Sequence, residues 1–310
     1  MRQHIHALQD AHLTAAWVAI GSFDGVHRGH QAIISNLVSQ AHEAGSPAAV
    51  ITFYPHPIAV LRKVQDPFYL TSPEERARLL FDLGVDTVIT LPFSTEMAAL
   101  TAEEFMQAVA KDLDLCTLWV GRDFALGRNR SGTVERLVEI GRELGYTVRI
   151  VEPVKDQNEV ISSSLIRKAL TAGDAALAAR LLGRYYTISG EVVHGDGRGK
   201  GIGIPTANLQ PWSEQLVPAN GVYATWTWVK GNRLPSITNI GVRPTFENKP
   251  VVPRIEAHLI DYDGDLYGQQ ICVEFVERVR PEKRFGSIEE LLQQVHTDIE
   301  RAREVFSDAQ

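Results

Sequence analysis

Two folds are predicted in this 310-residue chain. Residues 1–182 read as an α/β domain on a doubly wound parallel sheet, and residues 183–310 as a small β-rich barrel or sandwich. Three observations carry this. Short apolar runs alternate with helical patterns through the first half, as in a parallel sheet wound by helices. From Gly183 to Arg280 helical stretches are few, and Gly, Pro and Asp turns separate short alternating strands. The length also suits two domains of about 100–200 residues each.

In chain order, the first-half strands are expected at Trp17–Ile20, Ala48–Phe53, Val85–Leu91, Cys116–Gly121 and Tyr146–Val151. Between the first two, His30–Ala44 places Ile33, Ile34, Leu37, Val38 and Ala41 on one helical face. Ser72-Pro73-Glu74-Glu75 is a capping box with proline at the first helical position, and Gly84 closes that helix. Thr101-x-x-Glu104 opens another. In the second half Val222–Val229 alternates Val222, Ala224, Trp226 and Trp228 against Tyr223, Thr225 and Thr227. Arg254–Ile260 and Gln270–Val279 read as strands joined through Asp261–Asp265. A last helix starts at Ser287-x-x-Glu290, and its stripe of Ile288, Leu291, Leu292, Val295, Ile299 and Ala302 is expected to pack on the β domain.

Composition excludes several classes of function. Apolar residues make up 44% and charged residues 22%, too apolar a balance for disorder. No run approaches the ~18 apolar residues a membrane span needs. MRQHIHALQD lacks the apolar core of a signal peptide, so none is expected. Cys116 and Cys272 are too few for a disulfide framework or a cysteine zinc site, and suit a reducing cytoplasm. The net charge is −7, and both halves are acidic, so neither reads as a nucleic-acid-binding module.

Four polar or Gly-rich stretches follow first-half strands directly: Gly21–His30, Tyr54–Pro57, Gly121–Gly127 and Ser162–Arg167. In an open parallel sheet the carboxyl ends of the strands share one edge, where ligands bind. His27 and His30, at a loop-to-helix junction, can donate toward an anion at the helix N-terminus, and Gly25 and Gly29 let a phosphate approach the backbone. The bland reading is a Gly-rich turn with two solvated histidines, and half a metal site is disfavoured because no third and fourth ligand stand at suggestive spacing. Ser163 and Ser164 are either caps or phosphate donors, and Arg167, about one turn on, can pair with a polyphosphate. Asp123 suits a ribose, a base or an ordinary turn. Pro55 and Pro57 beside Phe53 form either a rigid wall for a flat ring or a plain proline turn.

In the second half, His194–Asn208 is the densest glycine stretch. It fits neither the P-loop nor the dinucleotide fingerprint. Arg198 and Lys200 among these glycines can still cradle phosphates, or the stretch is a hairpin loop. Thr206 and Asn208 share one face of an extended segment and offer neutral oxygens suited to Mg²⁺ held with phosphates. Glu256 and His258 face away from Ile255, Ala257 and Leu259, toward either a substrate mouth or solvent.

The motif Gly-x-Phe-Asp-Gly-Val-His-x-Gly-His of residues 21–30 resembles the ATP-binding signature of nucleotidylyltransferases in the flavin-adenylylating branch. Thr52–Pro57, Gly121-x-Asp123-Phe124 and Ser-Ser-Ser-x-Ile-Arg follow in matching order. Gly190-x-Val192, Pro205-Thr206-Ala207-Asn208-Leu209, Gly221–Ala224, Asn239-Ile240-Gly241-x-Arg243-Pro244-Thr245 and Asp265–Gly268 look like a riboflavin kinase module. From about residue 15 to 305 the chain resembles the bacterial bifunctional riboflavin kinase/FMN adenylyltransferase (FAD synthetase) family. It departs from the pattern at Asp123, where some members carry Asn, and at Leu126, where some place Phe.

The resemblance implies a Rossmann-like nucleotidylyltransferase domain over 1–182 and, over 183–310, a small antiparallel Greek-key β-barrel with a terminal helix. It implies riboflavin phosphorylation to FMN in the second domain and FMN adenylylation to FAD in the first. His27, His30, Ser164, Arg167 and Glu256 are the implied catalytic residues, Glu256 as base for the riboflavin 5′-hydroxyl. ATP contacts are implied at Gly21, Ser22, Phe23, Asp24, Gly25, Gly29, Gly121, Asp123 and Ser163. In the second domain they are implied at Gly197, Arg198, Lys200, Gly203, Thr206 and Asn208. The last two also hold Mg²⁺. Flavin contacts are implied at Phe53, Pro55, Pro57, Phe124, Arg280 and Glu282. The expected partners are small molecules alone (riboflavin, FMN, FAD and ATP), with no nucleic acid, membrane or obligate protein partner. Two rivals stand beside this reading: a nucleotidylyltransferase for another acceptor, and a non-catalytic flavin-binding protein.

Overall fold

The apolar runs of the first half become the strands of one parallel sheet. The computed structural model describes residues 2–195, 203–241 and 253–308. The sheet strands are β1 (Gln3–Ile5), β2 (Ala16–Ile20), β3 (Ala48–Tyr54), β4 (Thr87–Pro92), β5 (Leu115–Gly121) and, beyond a hairpin of β6 (Ala125–Leu126) and β7 (Gly132–Thr133), β8 (Thr147–Val151). Their order is β1-β4-β3-β2-β5-β8, with every neighbouring pair parallel. Helices α1 (Arg28–Glu43), α2 (Pro57–Arg62), α3 (Pro73–Asp82), α4 (Thr95–Ala99), α5 (Ala102–Leu113) and α6 (Val134–Leu144) fill the connections. Sheet strands buried on both faces must be apolar on both faces, which is why they read as continuous runs rather than alternations.

Caps set the helix starts. Ser72 accepts from Glu75 N–H at 3.1 Å, with Pro73 opening α3, and Thr101 and Glu104 form a reciprocal capping box on α5. On one sheet face Ile34, Leu37 and Ala41 of α1 and Ala77 and Leu80 of α3 pack against Ala19, Val50 and Val88. On the other, Phe105, Met106 and Val109 of α5 and Leu137 and Ile140 of α6 pack against Val18, Ile51 and Leu118. The chain winds outward from β2 through β3 to β4, then returns past β2 to β5 and β8. β2 and β5 are therefore the neighbours at which the winding reverses, and in sheets of this kind ligands bind outside the carboxyl ends of such a pair.

After a short hairpin of β9 (Lys155–Asp156) and β10 (Glu159–Val160) come α7 (Ser163–Ala172) and α8 (Ala175–Leu182). A closed six-stranded barrel follows: β11 (Tyr186–Val193), β12 (Ala207–Pro211), β13 (Gly221–Val229), β14 (Asn232–Gly241), β15 (Arg254–Leu259) and β16 (Gln270–Arg280), in order β11-β12-β15-β14-β13-β16. All its pairings are antiparallel. β13, β14 and β15 form a meander, while β12 crosses to β15 and β16 to β13, as in a Greek key.

The alternation in β13 resolves in an instructive way. Its most apolar set faces out: Val222, Ala224 and Trp226 pack with Ala302, Val305 and Phe306 of the terminal helix α9 (Ile288–Asp308). Tyr223, Thr225 and Thr227 are fully buried on the opposite face, inside the barrel. The threonines are tolerated because Thr225 Oγ1 lies 2.9 Å from Ser236 Oγ and 2.7 Å from Thr238 Oγ1, and Thr227 Oγ1 lies 2.7 Å from Ser236 Oγ. Of the expected α9 stripe, Val295, Ile299 and Ala302 join the barrel cluster, Leu291 and Leu292 are half-buried and Ile288 is exposed.

The two compact units are Met1–Ser163 and Ser164–Gln310, so the boundary expected at 182/183 falls within the second unit. The reason is packing. α8 buries Ala175, Ala178, Leu181 and Leu182, and rests on β16 and β11. A fragment of residues 183–310 is therefore expected to melt below one of residues 164–310. The burial of two leucines, about 3–6 kcal/mol, corresponds to roughly 10–20 °C. Thermal denaturation followed by circular dichroism checks this, and equal melting temperatures would remove α8 from the barrel's core.

Candidate active sites

The loop after β2 takes an unusual backbone path. Phe23, Gly25 and Val26 have φ of 45°, 83° and 40°. Glycine adopts this region freely, but a β-branched valine there is strained, and such strain persists only where surroundings over-determine it. Those surroundings are visible. The buried Asp24 carboxylate accepts from Leu70 N–H and Thr71 N–H at 3.1 Å and from the Thr71 hydroxyl at 3.2 Å. Gly25 N–H donates to Thr71 Oγ1 at 3.1 Å. Ser163 Oγ donates to Asp24 C=O at 2.8 Å, and Thr52 Oγ1 to Ser22 C=O at 2.9 Å. Asp24 is among the residues expected at ATP, and its buried carboxylate shapes the loop from beneath.

The loop delivers two histidines. His27 caps α1, its Nδ1 accepting from His30 N–H at 3.3 Å, and the two rings stack at 3.6 Å. Gly29 makes room: a Cβ there would meet the His27 ring at 3.1 Å. His30 sits edge-on to Phe23 at 5.1 Å, and its Nδ1 is buried without a hydrogen-bond partner among the described residues. Burial, then the neighbouring His27, Arg76 and His56, hold its pKa well below the usual imidazole range. His30 is thus a neutral ring at pH 7, with polar capacity that the rest of the site does not satisfy.

The aromatic residues stand on the opposite sheet face. Phe23 and Val26 belong to the α1/α3 cluster, whereas Phe53, Phe124 and Leu126 pack on the α5/α6 cluster. Phe53 is half-buried, edge-on to Phe93 at 5.8 Å. Pro55 follows a cis peptide and is exposed, and Pro57 opens α2. Gly21 directly follows β2 and Gly121 ends β5, the two strands at which the winding reverses, and exposed Asp123 lies two residues on. Ser164 is exposed and Arg167 half-buried on the first turns of α7, in the second unit.

The second constellation comes from strand register. Asn208 lies opposite Glu256, and Glu256 opposite Asn239. Directly opposed residues hold their Cβ atoms about 4.5–5.5 Å apart, so the three side chains share one face. It is the outer face, since Ile255, Ala257 and Leu259 are buried on the other. Thr206 precedes Asn208 by two. His258 Nδ1 donates to Pro205 C=O at 2.8 Å, tying this segment to β15. Gly195 lies against Asn208, where a Cβ would come 2.3 Å from Nδ2. A Cβ at Gly241 would meet Glu282 Oε1 at 2.5 Å and Asn239 Nδ2 at 3.4 Å, which places Glu282 at the end of the row.

Arg280, expected at the flavin, has its guanidinium engaged within the second unit. Its guanidinium is held by the buried Asp298 of α9 at 2.8–3.0 Å and by Pro281 C=O at 3.1 Å, over the Phe285 ring. Gly203 is exposed at φ 81°. Gly197, Arg198 and Lys200 lie outside the described residues. Sequence reasoning missed roles for Asn239, His258, Thr71 and Arg76. Asn239 stood within a quoted motif, and Arg76 is a charged residue on the buried stripe Pro73, Arg76, Ala77 and Leu80 of α3. That pattern is a readable signal.

Comparison with known proteins gives a consistent picture. Residues 9–165 match the family described as FAD synthetase, and residues 182–306 the family described as riboflavin kinase. The bifunctional riboflavin kinase/FMN adenylyltransferase of Bacillus subtilis (strain 168) is 37% identical over 308 residues, covering 98% of this chain and 97% of the relative. Its Escherichia coli (strain K12) counterpart is 39% identical over 304 residues, 97% and 96% of the two chains. A crystal structure described as a macrolide-efflux protein from Streptococcus pneumoniae matches with a TM-score of 0.89 and 31% identity over 98% of this chain and 99% of that one. Among the described residues no helix is long and apolar enough to cross a membrane.

Proposed function

The chain belongs to the bifunctional riboflavin kinase/FMN adenylyltransferase family, and on that premise we propose how its residues divide the two reactions. The N-terminal part is an FMN adenylyltransferase (FAD synthetase) and the C-terminal part a riboflavin kinase. Both use ATP, generally with a divalent metal.

In adenylyl transfer an FMN phosphate oxygen bonds to the α-phosphorus of ATP, and the bond to the β-phosphate breaks, releasing pyrophosphate. Charge grows on phosphate oxygens, so preorganised donors carry the catalysis. The neutral His30 and His27 are such donors, and the family resemblance adds Ser164 and Arg167 to the catalytic set. The backbone of Gly21, Ser22, Phe23, Gly25 and Gly29 approaches the nucleotide, with Gly121, Asp123 and Ser163 nearby. Phe53, Pro55, Pro57 and Phe124 wall the flavin ring.

In the kinase reaction the riboflavin 5′-oxygen bonds to the γ-phosphorus and ADP departs. Glu256 takes the hydroxyl proton. Thr206 and Asn208 fit Mg²⁺, because neutral hard oxygens leave the charge balance to the phosphates. When bound, the ion neutralises phosphate charge as it is displaced. Gly203, Gly197, Arg198 and Lys200 complete the phosphate contacts. Glu282 and Asn239 flank the flavin side, and Arg280 acts through its grip on Asp298. The acidic net charge and a cysteine content of only Cys116 and Cys272 support a cytoplasmic enzyme that works on small molecules rather than nucleic acid, and we infer no obligate protein partner.

One observation carries the reading of the kinase site: Asn208 and Glu256, far apart in sequence, are directly opposed on neighbouring strands. Gly195→Ala is expected to push Asn208 aside and lower kinase kcat/KM by about 10²-fold, the usual cost of a displacement near 1 Å. FAD formation from supplied FMN should not change. Chromatography of riboflavin, ATP and Mg²⁺ incubated with the protein tests the whole reading. FMN should appear first and FAD after it. Bound but unconverted riboflavin would overturn it.

A further inference from the structure

We propose that Arg76, which touches no substrate, is a positioning residue of adenylyl transfer that locks the phosphate-binding loop and the flavin wall into one register. Arg76 is completely buried on α3. Its Nη1 donates to Thr52 Oγ1 at 3.0 Å and to Phe53 C=O at 3.1 Å, where β3 runs into the aromatic and proline segment. Its Nη2 lies 3.7 Å from Asp24 Oδ1, on the strained loop that carries His27 and His30. Thr52 in turn donates to Ser22 C=O at 2.9 Å. One guanidinium therefore joins the loop after β2 to the exit of β3. These two segments lie on different clusters of the sheet and serve different ends of the reacting pair.

Stability alone gives weak grounds for such a residue. A buried ion pair commonly costs as much in desolvation as it returns, and an apolar side chain on the same stripe would pack with Ala77 and Leu80 without that cost. The arginine supplies what an apolar residue cannot, a rigid planar fork that fixes two backbone segments at once. Its charge also contributes to keeping His30 neutral, after burial and His27.

The inference rests on the assignment of adenylyl transfer to this unit, and full-length Arg76→Lys tests it. Lysine keeps the charge but cannot fork. KM for ATP and KM for FMN should both rise, with kcat/KM for FAD formation down about 10²-fold, while riboflavin phosphorylation by the same protein stays within two-fold of the unaltered enzyme. Thr52→Val removes one acceptor with little change of shape and covers the case in which Arg76→Lys does not fold. It should raise both KM values about ten-fold, and adding Arg76→Lys should cost little more, because one network is broken twice. Unchanged KM values in Thr52→Val, unchanged FAD kinetics in a folded Arg76→Lys, or losses that multiply in the double variant would each overturn the proposal. Absence of FAD formation by the unaltered protein would instead overturn the functional assignment.

Discussion

His30→Ala is expected to cut FAD formation by about 10²–10³, the cost of one preorganised donor to a developing phosphate charge. FMN formation from riboflavin should persist, since its residues lie on the barrel. The argument rests on the state of the ring. His30 is stacked on His27, edge-on to Phe23, and retains a buried nitrogen without a partner among the described residues. A ligand oxygen would satisfy it. Burial gives a second signature. Unfolding returns His30 from its lowered pKa to the ordinary value of 6.5. Below about pH 6.5 the unfolded chain then binds the extra proton. His30's contribution to stability is thus complete above that pH and is lost as pH falls toward the folded pKa. His30→Ala should flatten this acid loss in a melting series. Normal FAD synthesis by the variant would remove the histidine from the mechanism.

Glu256→Gln is expected to have the opposite selectivity, lowering riboflavin phosphorylation by about 10²–10⁴ while FAD synthesis from supplied FMN continues. Glutamine keeps the shape of the row Asn208, Glu256 and Asn239 and removes the base. The substitution sits on the outer face of β15, away from the hydroxyl network of Thr225, Thr227, Ser236 and Thr238, so stability should change little. Steady-state kinase assays with ADP detection check it. Activity within a few-fold of the unaltered enzyme would make Glu256 a solvated barrel residue.

The motifs at strand ends were legible because a parallel sheet collects its carboxyl ends on one edge, so position in the chain already implies position in space. Helix starts were legible for a local reason, since a cap such as Thr101 with Glu104 is contained in four residues. Other features had no local trace. β1 is three residues long, contains His4, and forms only by pairing with β4, where His4 Nε2 meets Thr90 Oγ1 at 2.9 Å. The inside and outside of the barrel could not be read from β13, because α9 creates an apolar outside that hydrophobicity alone would place inside. The pairing of Arg280 with Asp298 had no local trace either, because α9 brings the two together across 18 residues. The assignment of α8 to the second unit likewise depends on packing that begins only once β16 and β11 exist. Arg76 lay between these cases: the stripe it interrupts was visible, but Asp24 and Thr52 were not visible as its partners.

The central claim is that two sets of residues, one built on His27 and His30 and the other on Thr206, Asn208 and Glu256, carry two chemistries that can be separated. Mixing the His30→Ala and Glu256→Gln proteins tests it most directly. Riboflavin, ATP and Mg²⁺ are added, and the flavins are resolved by chromatography over time. Alone, His30→Ala should stop at FMN and Glu256→Gln should leave riboflavin unconverted. Together they should form FAD, with FMN made by one protein and adenylylated by the other. A mixture that makes no more FAD than either variant alone, while each retains its expected single activity, would contradict independent sites.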